Sequence, residues 1–310
     1  MNKKFFTAGV LAFGMLLGSC DNDDDTKSII ESNTNLELSI NGLANLGDDF
    51  VYEGWIIVNE NPVSTGVFTI NDSGDWSANS FTVDKTNLAN ATKFVLSIEP
   101  TVDNDPAPSA TKILAADFSG NSAIVVANTI PGINTNGDGE FTEAWGKFFL
   151  RTPTDETGTN NGNDENGIWY GTPGTPPTAG LGGMPELEAS SGWRYEGWVV
   201  VNGTPISTGT FISFTESDAS NQFSGTEANA GPPIPGEDFL LNAPTGVTFP
   251  LDVRGKTTVI SLEPYPDNSV KPFSIKPLLV TIATDAAIAP TTHNLNTNLS
   301  SFPSGSIIRK

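Results

Sequence analysis

Six residues of this chain have types and spacings that could do chemistry: Trp55, Glu99 and Asp103, and further along Trp198, Glu263 and Asp267. Glu99 and Glu263 each stand just before a proline and four residues before an Asp, in Glu99-Pro100-x-x-Asp103-Asn104 and Glu263-Pro264-x-x-Asp267-Asn268. Two carboxylates set roughly 5–10 Å apart across one glycosidic bond can share acid and base work in its hydrolysis. These two occupy equivalent places in two copies of a repeat, and nothing in the sequence brings them together. The simpler reading is a strand-end carboxylate that bonds loop amides or a nearby lysine. Lys112 and Lys276 recur with the two acids and are the candidate partners. Trp55 and Trp198 could stack on a sugar or peptide, but on strands this apolar they read as core.

Other chemistry is thinner. Asn134-x-Asn136-x-Asp138-Gly139 has the outline of half a calcium loop, but its first ligand is Asn and its twelfth position is Trp145 where a bidentate Glu is required. An Asn/Gly linker is the better reading. The chain has one His and one Cys, too few for a Cys/His zinc site. His293, in Thr291-Thr292-His293-Asn294, reads as a loop residue rather than as a catalytic base. Phosphate-loop, His-Glu-x-x-His and Gly-x-Ser-x-Gly patterns do not occur. No metal or cofactor is expected.

The elements that would position these residues come from a duplication. Tyr52-Glu53-Gly54-Trp55-Ile56-Ile57-Val58-Asn59 returns as Tyr195-Glu196-Gly197-Trp198-Val199-Val200-Val201-Asn202. Pro62 and Ser64 to Phe68 then match Pro205 and Ser207 to Phe211. The first block recurs 143 positions on and the second, at Glu99, 164 on, so copy two holds 21 more residues between its blocks. The Pro-rich stretch 230–250, which overlaps a long loop-like insertion over 217–248, is where they belong. β-branched and aromatic runs with period two predict strands over 36–40, 51–58, 63–70, 93–100, 111–116, 122–127, 146–151, 168–170, 210–214, 257–263, 277–283 and 304–309, and Trp193 leads into the second Tyr-Glu-Gly-Trp unit at 195–202. Phe94, Leu96 and Ile98 share one face, which should point inward. Gly54 and Gly197 within their strands fit packing against an aromatic ring, or a bulge. With 31 Gly, 22 Pro and no sustained helical period, the expected fold is all-β: two tandem β-sandwich-like domains, over 35–130 and 141–310, with the Gly/Asn-rich 131–140 as their boundary.

Residues 1–19 have the parts of an export signal: Lys3 and Lys4, an apolar run from Phe5 to Leu17, then Leu17-Gly18-Ser19-Cys20, which resembles a bacterial lipobox. In that class of signals the cysteine becomes the first residue and carries the lipid, palmitate among its acyl chains. Asp21-Asn22-Asp23-Asp24-Asp25 follows directly and resembles the surface-export signals of Bacteroidetes lipoproteins. Residues 20–34 then form an acidic, self-repelling tether. The expected location is the outer membrane of a cell envelope, surface-exposed, with the chain anchored through lipid on Cys20. A net charge of −21 without basic clusters argues against nucleic acid as a partner. An envelope protein or glycan is the partner class that remains.

Tyr-x-x-Trp, a turn, Pro-x-Ser-x-Gly-x-Phe, and a later strand ending in Glu-Pro with an Asp- and Pro-rich loop resemble the extracytoplasmic C-terminal domain of anti-sigma-K factors. The resemblance covers both copies. It implies an all-β, envelope-side domain. It does not imply sigma binding, because the helical sigma-binding part and the transmembrane helix of that family have no counterpart in this sequence. The reading is a non-catalytic binding or structural module. An envelope regulatory component and a carbohydrate-active enzyme are the alternatives.

Overall fold

The structure is a computed structural model and describes residues 33–134, 137–157, 161–227, 232–266 and 269–310. Cys20, the export signal and nearly all of the tether lie outside the described residues. So do Asp267 and part of the calcium-like stretch. The described chain is all-β and sandwich-like, with two large antiparallel sheets sharing one continuous apolar core.

The first copy comprises β1 (Asn33–Asn41), β2 (Phe50–Val58), β3 (Asn61–Phe68), β4 (Ser80–Asp84), a short helix α1 (Lys85–Asn90), β5 (Lys93–Pro100), β6 (Lys112–Ser119) and β7 (Ser122–Ile124). Next come the hairpin β8 (Thr129–Asn134) and β9 (Gly137–Glu140), then β10 (Trp145–Phe148), β11 (Gly167–Trp169), β12 (Gly171–Thr172), β13 (Thr178–Ala179) and β14 (Leu181–Gly182). The second copy follows as β15 (Trp193–Val201), β16 (Thr204–Phe211), β17 (Gly236–Asp238), β18 (Thr257–Pro264), β19 (Leu278–Thr281), β20 (His293–Thr297) and β21 (Ser304–Arg309).

One sheet runs β3-β2-β5-β6-β7-β21-β1-β4 and the other β14-β10-β20-β19-β18-β15-β16. The four strands β3-β2-β5-β6 therefore recur as β16-β15-β18-β19. Their registers match. Tyr52 faces Phe68 as Tyr195 faces Phe211, and both ladders slip at the same place, Gly54/Trp55 and Gly197/Trp198. The hairpin turns match too. Asn59-Glu60 and Asn202-Gly203 all take positive φ, at 49°, 65°, 49° and 84°, the two-residue turn whose twist suits paired strands. Each glycine at the slip is needed for space. A Cβ on Gly54 would lie 2.5 Å from Thr65 Oγ1 and 3.1 Å from the Phe94 ring. On Gly197 it would lie 2.3 Å from Thr208 Oγ1 and 2.7 Å from the Tyr170 ring. Bulge and aromatic packing thus coincide.

Several elements differ from the sequence expectation. The Gly/Asn-rich stretch after residue 130 is a paired hairpin rather than a bare linker, because Ile130 and Ile133 are fully buried. Phe141 follows it and packs on Tyr195 and Phe302, with ring centroids 6.4 and 4.9 Å apart. The last strand, β21, joins the first copy's sheet between β7 and β1, from Leu36 opposite Arg309 to Asn41 opposite Ser304. Its Ile307 is fully buried. His293 sits in a strand, β20, opposite Phe148, and its Nε2 lies 2.8 Å from the Ala287 carbonyl. Helix α1 was hidden in a strand-rich context; Asp84 caps it by accepting from the Asn87 amide at 2.7 Å.

Candidate functional site

Each copy builds the same chain of hydrogen bonds. Alternation along β5 turns Phe94, Leu96 and Ile98 into the core, so Val95, Ser97 and Glu99 occupy the other face. Trp55, across from Val95, joins them there. Its indole N–H donates to Ser97 Oγ at 2.8 Å, the Ser97 hydroxyl donates to Glu99, and Glu99 accepts the Ser109 amide at 2.8 Å. Copy two repeats every link: Trp198 to Ser261 at 2.8 Å, Ser261 to Glu263, and the Phe273 amide to Glu263 at 2.9 Å. A strand tryptophan, a strand serine and a strand-end carboxylate thereby hold the returning limb of the following loop. A second pair recurs alongside, with Ser64 donating to Glu53 and Ser207 to Glu196.

This geometry sharpens the roles of the sequence candidates. Trp55 and Trp198 are 3% and 2% exposed, so neither presents an open ring face for stacking. They are buried, yet outside the contiguous apolar core. Their place is the polar face, where the N–H has a partner, as buried indoles require. Glu99 and Glu263 are 2% and 1% exposed. Burial raises the Glu99 pKa, opposed by the Ser97 hydroxyl and the Ser109 amide. Lys112 Nζ donates to the Ser109 carbonyl at 2.9 Å, so it braces the residue whose amide Glu99 holds. Burial lowers the pKa of Lys112 and of Lys276, and the charges of Glu99 and Glu263 oppose that shift. Asp103 is exposed and accepts the Asp105 amide at 2.8 Å, a local loop turn.

The structure brings the two copies' loops to one point. The Gly192 carbonyl accepts both the Thr111 hydroxyl at 3.1 Å and the Tyr265 amide at 2.8 Å. Beside it, a cleft of about 280 Å³ opens between the copies. Leu46, Phe50 and Ile98 line it from copy one, and Glu263, Lys271 and Phe273 from copy two.

The inserted segment of copy two carries carboxylates that sequence reasoning passed over. Glu237 and Asp238 on β17 are fully buried. Asp238 accepts the Trp169 indole N–H at 2.8 Å and the Thr154 amide at 2.9 Å. Glu237 accepts from Ser224 and from the Asp238 amide. Asp218 accepts the Gly236 amide at 2.8 Å. These acids knot the insertion to β11 and to the loop after β10. Burial pushes Asp218 up to about 8, Glu237 to about 7 and Asp238 to about 6. Ser97 and Ser261 were also passed over, although their recurrence at the same offset as the two glutamates was a usable signal.

Among the described residues no group of three or more His, Cys, Asp or Glu is placed to hold a metal ion, and no helix is long and apolar enough to cross a membrane. Compared with protein-family models, with curated proteins and with solved structures, the chain has no match in any of the three.

Proposed function

We propose that this chain is a non-catalytic binding module of the cell envelope, anchored through lipid on Cys20 and carried outward on the acidic tether 20–34. The observation that supports it is the repeated use of Glu99 and Glu263. Each carboxylate is committed to a serine hydroxyl and a loop amide within its own copy. A catalytic acid must instead be free to exchange a proton with substrate. The two copies thus act as a rigid frame that presents loops, the usual division of labour between scaffold and binding surface. The partner class is an envelope protein or glycan. The resemblance of each copy to the anti-sigma-K extracytoplasmic domain is taken as one of architecture, with no sigma-binding role carried over.

Two experiments test the reading. Cys20→Ala should move the protein from the membrane to the soluble fraction; continued anchoring refutes the lipid attachment. The released full chain is then screened against envelope proteins and glycans, and for hydrolysis of the same glycans. Any hydrolysis abolished by Glu99→Gln or Glu263→Gln would overturn the non-catalytic reading.

A further inference from the structure

The two copies keep one framework, so the places where they part mark what copy two has acquired. By the repeat register, Arg194 stands where copy one has Val51, and Tyr265 where it has Thr101. The segment after β16 is 21 residues longer than its counterpart after β3. These three differences meet at one pocket of about 270 Å³, lined by Arg194, Tyr265 and Asp218 together with Thr210, Ser213 and Ser217.

Arg194 is fixed in place there. Its guanidinium carbon lies 4.1 Å from the centroid of the Tyr265 ring. Two of its N–H groups go to the carbonyls of Trp193 at 2.6 Å and Ala189 at 3.2 Å. A guanidinium has five N–H donors, so the fork keeps donors for a ligand. Among the described residues its bonded partners are carbonyls and a ring, and Glu263, opposite it in the β15–β18 ladder, is bonded instead to Ser261 and the Phe273 amide. Asp218 closes the pocket, and burial pushes its pKa up to about 8, so near neutral pH it adds little negative charge. Glu216 stands at the exposed rim, where water and salt screen it.

We propose that this pocket binds a carboxylated sugar, its carboxylate on the Arg194 fork and its hydroxyls on Thr210, Ser213 and Ser217. Tyr265, 48% exposed, borders the apolar face of the ring. A planar carboxylate is what a guanidinium fork matches bidentately. The pocket is near the lower size limit of ligand sites, about 300 Å³, roomier than a bare oxyanion needs. Copy one lacks all three features, so each chain carries a single site.

The inference rests on the binding-module reading and gives its ligand class. The purified full-length chain is titrated calorimetrically with galacturonic acid, with galactose as the neutral ring and inorganic phosphate as the ringless anion. Expected are one site per chain, at least tenfold weaker binding of galactose and of phosphate, and a loss of about ten- to a hundredfold in Arg194→Ala. Arg194→Lys, which keeps the charge but not the fork, and Tyr265→Ala serve as further variants, each checked for native circular dichroism. Val51→Arg should change nothing. Equal affinity for galactose or phosphate, no binding of galacturonic acid by the folded chain, or binding unaltered in folded Arg194 variants overturns the proposal. Retention of another envelope ligand in that case would leave the binding-module reading standing. Hydrolysis of an oligomeric uronide would instead overturn that reading.

Discussion

Ser261→Ala tests whether the tryptophan–serine–glutamate chain is a structural clamp. The hydroxyl has two jobs: it accepts the Trp198 indole N–H at 2.8 Å and donates to Glu263. Losing a hydrogen bond to a charged acceptor costs about 1.5–3 kcal/mol, and orphaning a buried donor about 1–3 kcal/mol. The substitution should therefore destabilise by about 3–5 kcal/mol, a large share of a typical stability of about 5–15 kcal/mol. Urea denaturation followed by tryptophan fluorescence reads this directly. In a thermal scan the midpoint should fall by roughly 6–20 °C, at about 2–4 °C per kcal/mol for a chain approaching this size. Ser97→Ala should cost a similar amount, since copy one repeats every link. The decisive comparison is the double variant Trp198→Phe/Ser261→Ala. With no indole N–H left to orphan, its loss should fall short of the sum of the single losses by about 1–3 kcal/mol. Strict additivity, or a Ser261→Ala cost below about 0.5 kcal/mol, refutes the clamp.

Gly197→Ala should destabilise by at least about 1–3 kcal/mol, and more than Gly54→Ala, because its Cβ would meet the buried Tyr170 ring at 2.7 Å where Gly54 has Phe94 at 3.1 Å; denaturant midpoints compare the two. Asp218, Glu237 and Asp238 have folded pKa values raised above the ordinary carboxylate range. Their contribution to stability is full below about pH 4 and is lost as pH rises through about 6 to 8. Asp218→Asn should therefore flatten the fall in stability between pH 5 and 8, and an unchanged pH slope would contradict it. Deleting Ser304–Lys310 should unfold or precipitate the first sheet, since β21 lies between β7 and β1; retained cooperative unfolding in a calorimetric scan would show that β1 and β7 do not depend on it.

The repeated unit was legible because its frame is written in side chains of fixed spacing. Asn at the turn, Gly at the slip and Glu before Pro each answer a local backbone demand, so they recur wherever that backbone recurs. Strand period sufficed for β2, β5, β15 and β18. It could not place β21, whose partners Leu36–Asn41 lie at the other end of the described chain; long-range pairing leaves no local period. The tryptophans read as core from their apolar neighbours, and both are buried; their polar partners went unread, although alternation from Phe94, Leu96 and Ile98 puts Ser97 and Glu99 on the opposite face, with Trp55 beside them.

The pocket at Arg194 was illegible because it depends on that same division between frame and loop. Arg194 and Tyr265 come together only through the pairing of β15 with β18, in which Trp193 lies opposite Pro264. Asp218 arrives from an insertion held by buried carboxylates as well as by scattered apolar anchors such as Phe223, Ile234 and Phe239. Buried, hydrogen-bonded acids specify a position without a hydrophobic period, and without that period such a segment reads as loop. The same property makes it adaptable. Because Glu263 secures the loop through the Phe273 backbone amide, the side chains between them are free to change without loosening the frame. Copy one, with Glu99 holding Ser109 in the same way, shows the frame without the Arg194–Tyr265 pair.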